Sequence, residues 1–193
     1  IVGYAAYDGA PVLRWILGML ATGARPDAVL AWDVRAQWRH RGPILDTHPK
    51  GWPYTKKRNA TVPVIAEFRP WLEAWADCPH KPVGSRKRWW RTMRAALYLD
   101  REVVPKAFRH TVATELRARG VPPSDVEGLL GHRMSNRTTA VYAKYDPARL
   151  SDAKQALSAL WQEVCAAAND WLTNHVRITT AYKQPILVAR KLE

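Results

Sequence analysis

The chain has 193 residues, 47% of them hydrophobic, enough to pack one domain with a sizeable core and too apolar to stay disordered. Lys and Arg number 30 against 17 Asp and Glu, and the formal charge of +13 points to a polyanionic partner, most simply nucleic acid. Two cysteines, Cys78 and Cys165, exclude a disulfide framework and fit a reducing compartment, and no run of about 18 apolar residues supports a membrane-spanning helix.

In chain order, residues 8–23 have apolar side chains at helical spacing, with Asp8 as N-cap and Gly23 near the stop. "RPDAVLAW" reads as a short second helix. Residues 34–38 and 44–46 read as strands joined through "RHRGP", and 60–65 as a third strand after the basic loop "HPKGWPYTKKRN". Helices are predicted at 66–76, 86–99, 107–119, 123–130, 137–145 and 151–172. Pro79, Pro82 and Gly84 mark a loop, Pro105 precedes the third of these helices and Pro122-Pro123 open the fourth. The end, "HVRITTAY" and "PILVARK", is β-rich. The expected fold class is mainly α with a small antiparallel β-sheet (α+β). Residues 1–150 form the main domain, with sheet and hairpin at about 34–65, and 151–193 a helix plus a detachable β-rich tail. The opening "IVGYAAYDGAP" lacks the pattern of a signal peptide, and the missing initiator Met suggests a fragment of a longer protein.

Several cations occupy positions that ask for a reason. Arg109, in "AFRHTVATELRARG", lies near a helix N-terminus, where a cation opposes the helix dipole unless an anion is shared with the backbone N–H groups. His110 and Thr111 are read as partners that fix this helix start. Arg25 sits in the turn after Gly23, free to point into a cleft. Lys56, Lys57 and Arg58 run along the predicted hairpin. His132 follows "LLG", and Tyr142 and Tyr145 come a short helix later. Taken singly, each has an ordinary explanation: a surface arginine, a solvated charge run, a cap, core packing. Together they match one chemistry. Tyrosine attack on a phosphodiester needs a phenol, arginines for the non-bridging oxygens, a proton donor for the leaving oxygen, and a group that steers the phenol. Arg25, Arg109, a hairpin lysine, His132 and Tyr142 supply that set without metal or cofactor, and no metal-ligand spacing is visible. In "RKRWWRTMR", Arg86, Lys87, Arg88 and Arg91 are expected to face a phosphate backbone, with one of Trp89 and Trp90 in the core.

"TGARPDAVL", "TKKRNATVP", "AFRHTVATELRARG", "LLGH" and "TTAVYAKY" fall in the order found in tyrosine recombinases of the phage integrase family, and residues 10–150 resemble that family's catalytic domain. The resemblance implies a site-specific recombinase that cleaves and rejoins DNA through a 3′-phosphotyrosine. Arg25 and Arg109 would clamp the scissile phosphate, Lys56 would protonate the leaving hydroxyl, His132 would bond the phosphate or assist the nucleophile, and Tyr142 would attack. Lys57 and Arg58 would reach the DNA. There are departures. Lys106 stands where the family usually has a histidine, the His132 to Tyr142 interval is one residue longer than usual, and Ala28 with Asp27 beside it stands where an acid is usual. Lys50 and Lys57 compete with Lys56, and Tyr145 is a lesser candidate nucleophile. An impaired DNA-binding relative, with Lys106 as the lesion, and a type IB topoisomerase-like relaxase are the alternatives. The resemblance further implies double-stranded DNA as partner, a tetramer on paired sites, and a cytoplasmic, nucleoid-associated protein lacking the family's N-terminal DNA-binding domain. In the last predicted helix Ala156, Leu157, Leu160, Trp161, Val164 and Ala168 form an apolar stripe, packed in cis or swapped in a dimer.

Overall fold

The computed structural model describes residues 1–38, 41–54, 58–77, 86–132 and 145–178. Nine α-helices are described within them: α1 (Val2–Asp8), α2 (Ala10–Thr22), α3 (Pro26–Leu30), α4 (Val34–Gln37), α5 (Arg69–Asp77), α6 (Arg86–Ala96), α7 (Ala107–Ala118), α8 (Pro123–Leu129) and α9 (Ser151–Ile178). Strands β1 (Ile44–Asp46) and β2 (Thr61–Pro63) pair antiparallel with Leu45 opposite Val62. The class is mainly helical with a small antiparallel sheet, as the sequence pattern implies.

α2 is the axis of the core. Leu13, Trp15, Ile16, Leu17, Met19 and Leu20 are all buried, covering every face of the helix, and a helix apolar all round belongs inside. α1, α3, α7 and α9 pack around it. α9 packs in cis: Ala153, Ala156, Leu157, Leu160, Trp161, Cys165 and Ala168 lie in the same core as α2 and α7, while Val164 is half-buried.

Three local expectations are corrected. Residues 34–38 are not a strand: Val34, Gln37 and Trp38 are buried at helical spacing. The helical turn lets the Gln37 amide accept from the Asp33 N–H at 2.8 Å and donate to the carbonyls of Asp46 and His48 at 3.1 and 2.9 Å, tying α4 to β1. Asp8 does not cap α2; it ends α1, a helix the pattern missed, and Gly9 separates the two. The last helix does not stop at residue 172: α9 runs to Ile178. Its Thr173 hydroxyl bonds the Asn169 carbonyl at 2.9 Å, a back-bond that accommodates a β-branched residue in a helix. The loop residues Pro79, Pro82 and Gly84, the predicted helix at 137–145 apart from Tyr145, and residues 179–193 lie outside the described residues.

Candidate active site

Two helix ends converge on one arginine. α2 closes on Gly23, whose φ of 61° is the left-handed value that glycine adopts without strain. α8 closes in a Schellman motif: the Gly131 N–H donates to the Gly128 carbonyl at 2.9 Å and the His132 N–H to the Glu127 carbonyl at 2.8 Å. Gly131 has φ 68°, and a Cβ there would lie 2.8 Å from the Arg58 carbonyl oxygen. "LLGH" is therefore a helix stop pressed against the loop before β2, and it leaves His132 at the first position beyond the stop.

Arg109, in the first turn of α7, fills the gap between these ends. Only 8% exposed, its Nη1 donates to the Gly23 carbonyl at 2.9 Å, and its Nη2 donates to the Leu130 carbonyl and lies 3.1 Å from His132 Nε2. Carbonyls at helix C-termini carry partial negative charge and lack intrahelical partners. One guanidinium thus caps two helices, which explains why a cation is tolerated at the start of its own. No side chain caps α7, and His110 and Thr111 are exposed, so the expectation that they fix its start is not met. Burial, and then the charge of Arg25, push Arg109 down to about 10; it remains a cation at neutral pH. Among the described residues, no carboxylate is one of its hydrogen-bond partners.

Arg25 occupies the N-cap position of α3, and burial lowers its pKa. Its Nη1 donates to the Arg58 carbonyl and, at 3.3 Å, to Asn59 Oδ1. His132 is open to solvent on one side. Partial burial and the charges of Arg109 and Arg25 hold its imidazole below the ordinary 6.5, against an opposing pull from Glu127. Accepting from Arg109 at Nε2 requires the neutral ring. Arg25, Lys106, Arg109 and His132 line one cleft of about 740 Å³, together with Arg86 and Asp27, which form an ion pair at 2.7 Å. Among the described residues that line it, four basic side chains and a histidine face a single carboxylate, an arrangement suited to an anion. Among the described residues, no cluster of His, Cys, Asp and Glu could hold a metal ion, and no helix is long and apolar enough to cross a membrane.

Other sequence candidates fall in different places. Lys56, Lys57 and Tyr142 lie outside the described residues. Arg58 is exposed, and its carbonyl rather than its charge meets the cleft. Lys87, Arg88 and Arg91 project from the exposed face of α6. Trp90 is buried and donates to the Val103 carbonyl at 2.7 Å, while half-buried Trp89 donates to Asp8 at 2.6 Å. Tyr145 is fastened into the fold. Its ring covers Gly128, its hydroxyl donates to the Thr61 carbonyl at 2.8 Å, and burial, with Asp125, raises its pKa above the ordinary 10. A phenol held in this way is a poor nucleophile. Asn59 and Trp52 also line the cleft and were not singled out in the sequence.

A mainly helical domain with a two-stranded antiparallel sheet of this kind is the fold of the tyrosine recombinase catalytic domain. Residues 54–149 match the model of the phage integrase family. Curated relatives named tyrosine recombinase XerC are similar to it. The protein from Nitrobacter winogradskyi is 35% identical over 117 residues, covering 51% of this chain and 36% of its own. That from Rhizobium meliloti is 44% identical over 106 residues, 46% of this chain and 33% of its own. That from a Methylobacterium species is 43% identical over 65 residues, 34% of this chain and 20% of its own. The chain spans about a third or less of the length of the relatives it matches. No solved structure matches.

Proposed function

We propose that the chain is the catalytic part of a site-specific recombinase that cleaves and rejoins duplex DNA. The observation that carries the reading is the shared cleft of Arg25 and Arg109, two cations far apart in sequence with no carboxylate among their hydrogen-bond partners. A scissile phosphate there accepts from both guanidinium groups, and its charge offsets the repulsion between them. The Tyr142 oxygen attacks phosphorus and the bond to the 5′-oxygen breaks. The phenolic proton leaves to a base, and the 5′-oxygen takes a proton from Lys56. The product is a 3′-phosphotyrosine, and a 5′-hydroxyl from a second strand reverses the step without added energy. His132, neutral at Nε2, supplies a hydrogen-bonding ring beside the phosphate, and Lys106 supplies charge where the family usually has a histidine. Lys57, Arg58, Lys87, Arg88 and Arg91 meet the flanking backbone. The reading extends to a tetramer on paired sites in a nucleoid-associated, cytoplasmic protein, with 1–150 and the cis-packed α9 forming one catalytic unit.

The test is covalent capture on a nicked suicide duplex. The expected result is a denaturation-resistant adduct that Tyr142→Phe abolishes and Tyr145→Phe retains. Binding without an adduct identifies an impaired relative. Relaxation of supercoils by a monomer, without paired sites, identifies the topoisomerase-like alternative.

A further inference from the structure

Asp27 is the single carboxylate among the described residues that line the cationic cleft. It does not bond Arg25 or Arg109. It holds Arg86 at 2.7 Å, joining α3, which begins beside Arg25, to α6, whose Lys87, Arg88 and Arg91 are exposed. Both partners of the pair are open to water, with side chains 65% and 38% exposed. Exposed ion pairs are weak, whereas a guanidinium takes phosphate through two parallel hydrogen bonds.

We propose that Asp27 is a built-in phosphate mimic that keeps Arg86 in reserve, so that Arg86 becomes a backbone ligand only by exchanging this carboxylate for a DNA phosphate. The proposal rests on the reading of the cleft as a DNA site. It names Asp27 as an affinity-setting residue: it sets how strongly the cleft holds any polyanion before Arg25 and Arg109 are engaged. The exchange has a salt signature. In the native chain, Arg86 held by Asp27 makes little phosphate contact and so adds little counterion release on binding. Without Asp27 that release is made in full, and the slope of log affinity against log salt steepens by about one unit.

The experiment measures binding of a 20-base-pair duplex of arbitrary sequence to the 193-residue chain across a salt series. Asp27→Asn, isosteric at an exposed site, is expected to bind about fivefold tighter in 50 mM salt, with the steeper slope. Arg86→Ala alone is expected to change affinity by less than about twofold, and Asp27→Asn with Arg86→Ala to lose both gains. The proposal is overturned if Asp27→Asn changes neither quantity, if its gain survives removal of Arg86, or if Arg86→Ala alone weakens binding about fivefold. Failure of the wild-type chain to bind the duplex overturns the underlying DNA reading as well; any of the other three results, with wild-type binding intact, overturns this inference alone.

Discussion

Two buried arginines behave in opposite ways. Arg14, on α2, is 5% exposed, and Arg109 is 8% exposed; burial pushes both down to about 10. Arg14 has no hydrogen-bond partner at either terminal nitrogen and lies over the Trp75 ring, 4.9 Å from its centroid, with Asp33 pulling its pKa back up. Arg109 has two helix-end carbonyls and an imidazole, and its charged neighbour is another cation. Arg14 is compensated by a π face and an acid, so it asks for nothing further. Arg109 is well bonded yet sits in unrelieved positive potential. Burial is therefore no guide to function here; accumulation of like charge around a well-positioned donor is.

The sharpest way to break this contrast is Arg109→Lys. Charge is kept but the fork is lost, and capture on the nicked duplex is expected to fall about thousandfold. Undiminished capture would leave the two arginines equivalent. Gly131→Ala comes next. A left-handed backbone and a collision with the Arg58 carbonyl are expected to cost about 2 kcal/mol in urea unfolding and to disturb the end that bonds Arg109. Arg14→Met is expected to be neutral or to stabilise by about 1 kcal/mol, with capture unchanged, because an unbonded buried cation is replaced by an apolar chain of similar reach. A large loss of activity would show that Arg14 belongs with Arg109.

The smallest effect concerns His132. Its folded-state pKa lies below that of the unfolded chain, so the unfolded state binds a proton that the folded state resists. The stability tied to the neutral ring is full above about pH 6.5 and is lost as pH falls through the lowered folded value. Urea midpoints from pH 8 to 5 should fall more steeply in the wild type than in His132→Gln. Equal slopes would mean that neither burial nor the two arginines shift the ring.

Features written in short spans were legible in the sequence. Gly23, Pro26, Pro122 and Pro123 announce the ends of α2, α3 and α8 within a few residues, because caps and proline act locally. The Val34–Gln37 turn was misread because Val and Trp favour strands, while the deciding bonds from Gln37 reach Asp46 and His48, outside any local window. Arg25 and Arg109 were legible as candidates through the order of motifs. Their reasons were not: the carbonyls that hold Arg109 belong to Gly23 and Leu130, and the partners of Arg25 are Arg58 and Asn59. Charge counting found the basic face of α6 but did not reveal that Arg86 is already engaged by Asp27.

The bridge that Arg109 makes between the ends of α2 and α8 ties chemical competence to completion of the fold. The guanidinium reaches its working position only after three helices, drawn from both halves of the chain, have docked. If the cleft is the DNA site proposed above, a nascent or partly opened molecule would retain its positive charge yet lack the aligned fork needed to cut. On the proposed reading, strand breakage would be reserved for the finished molecule, a safeguard that comes from architecture rather than from any separate inhibitor.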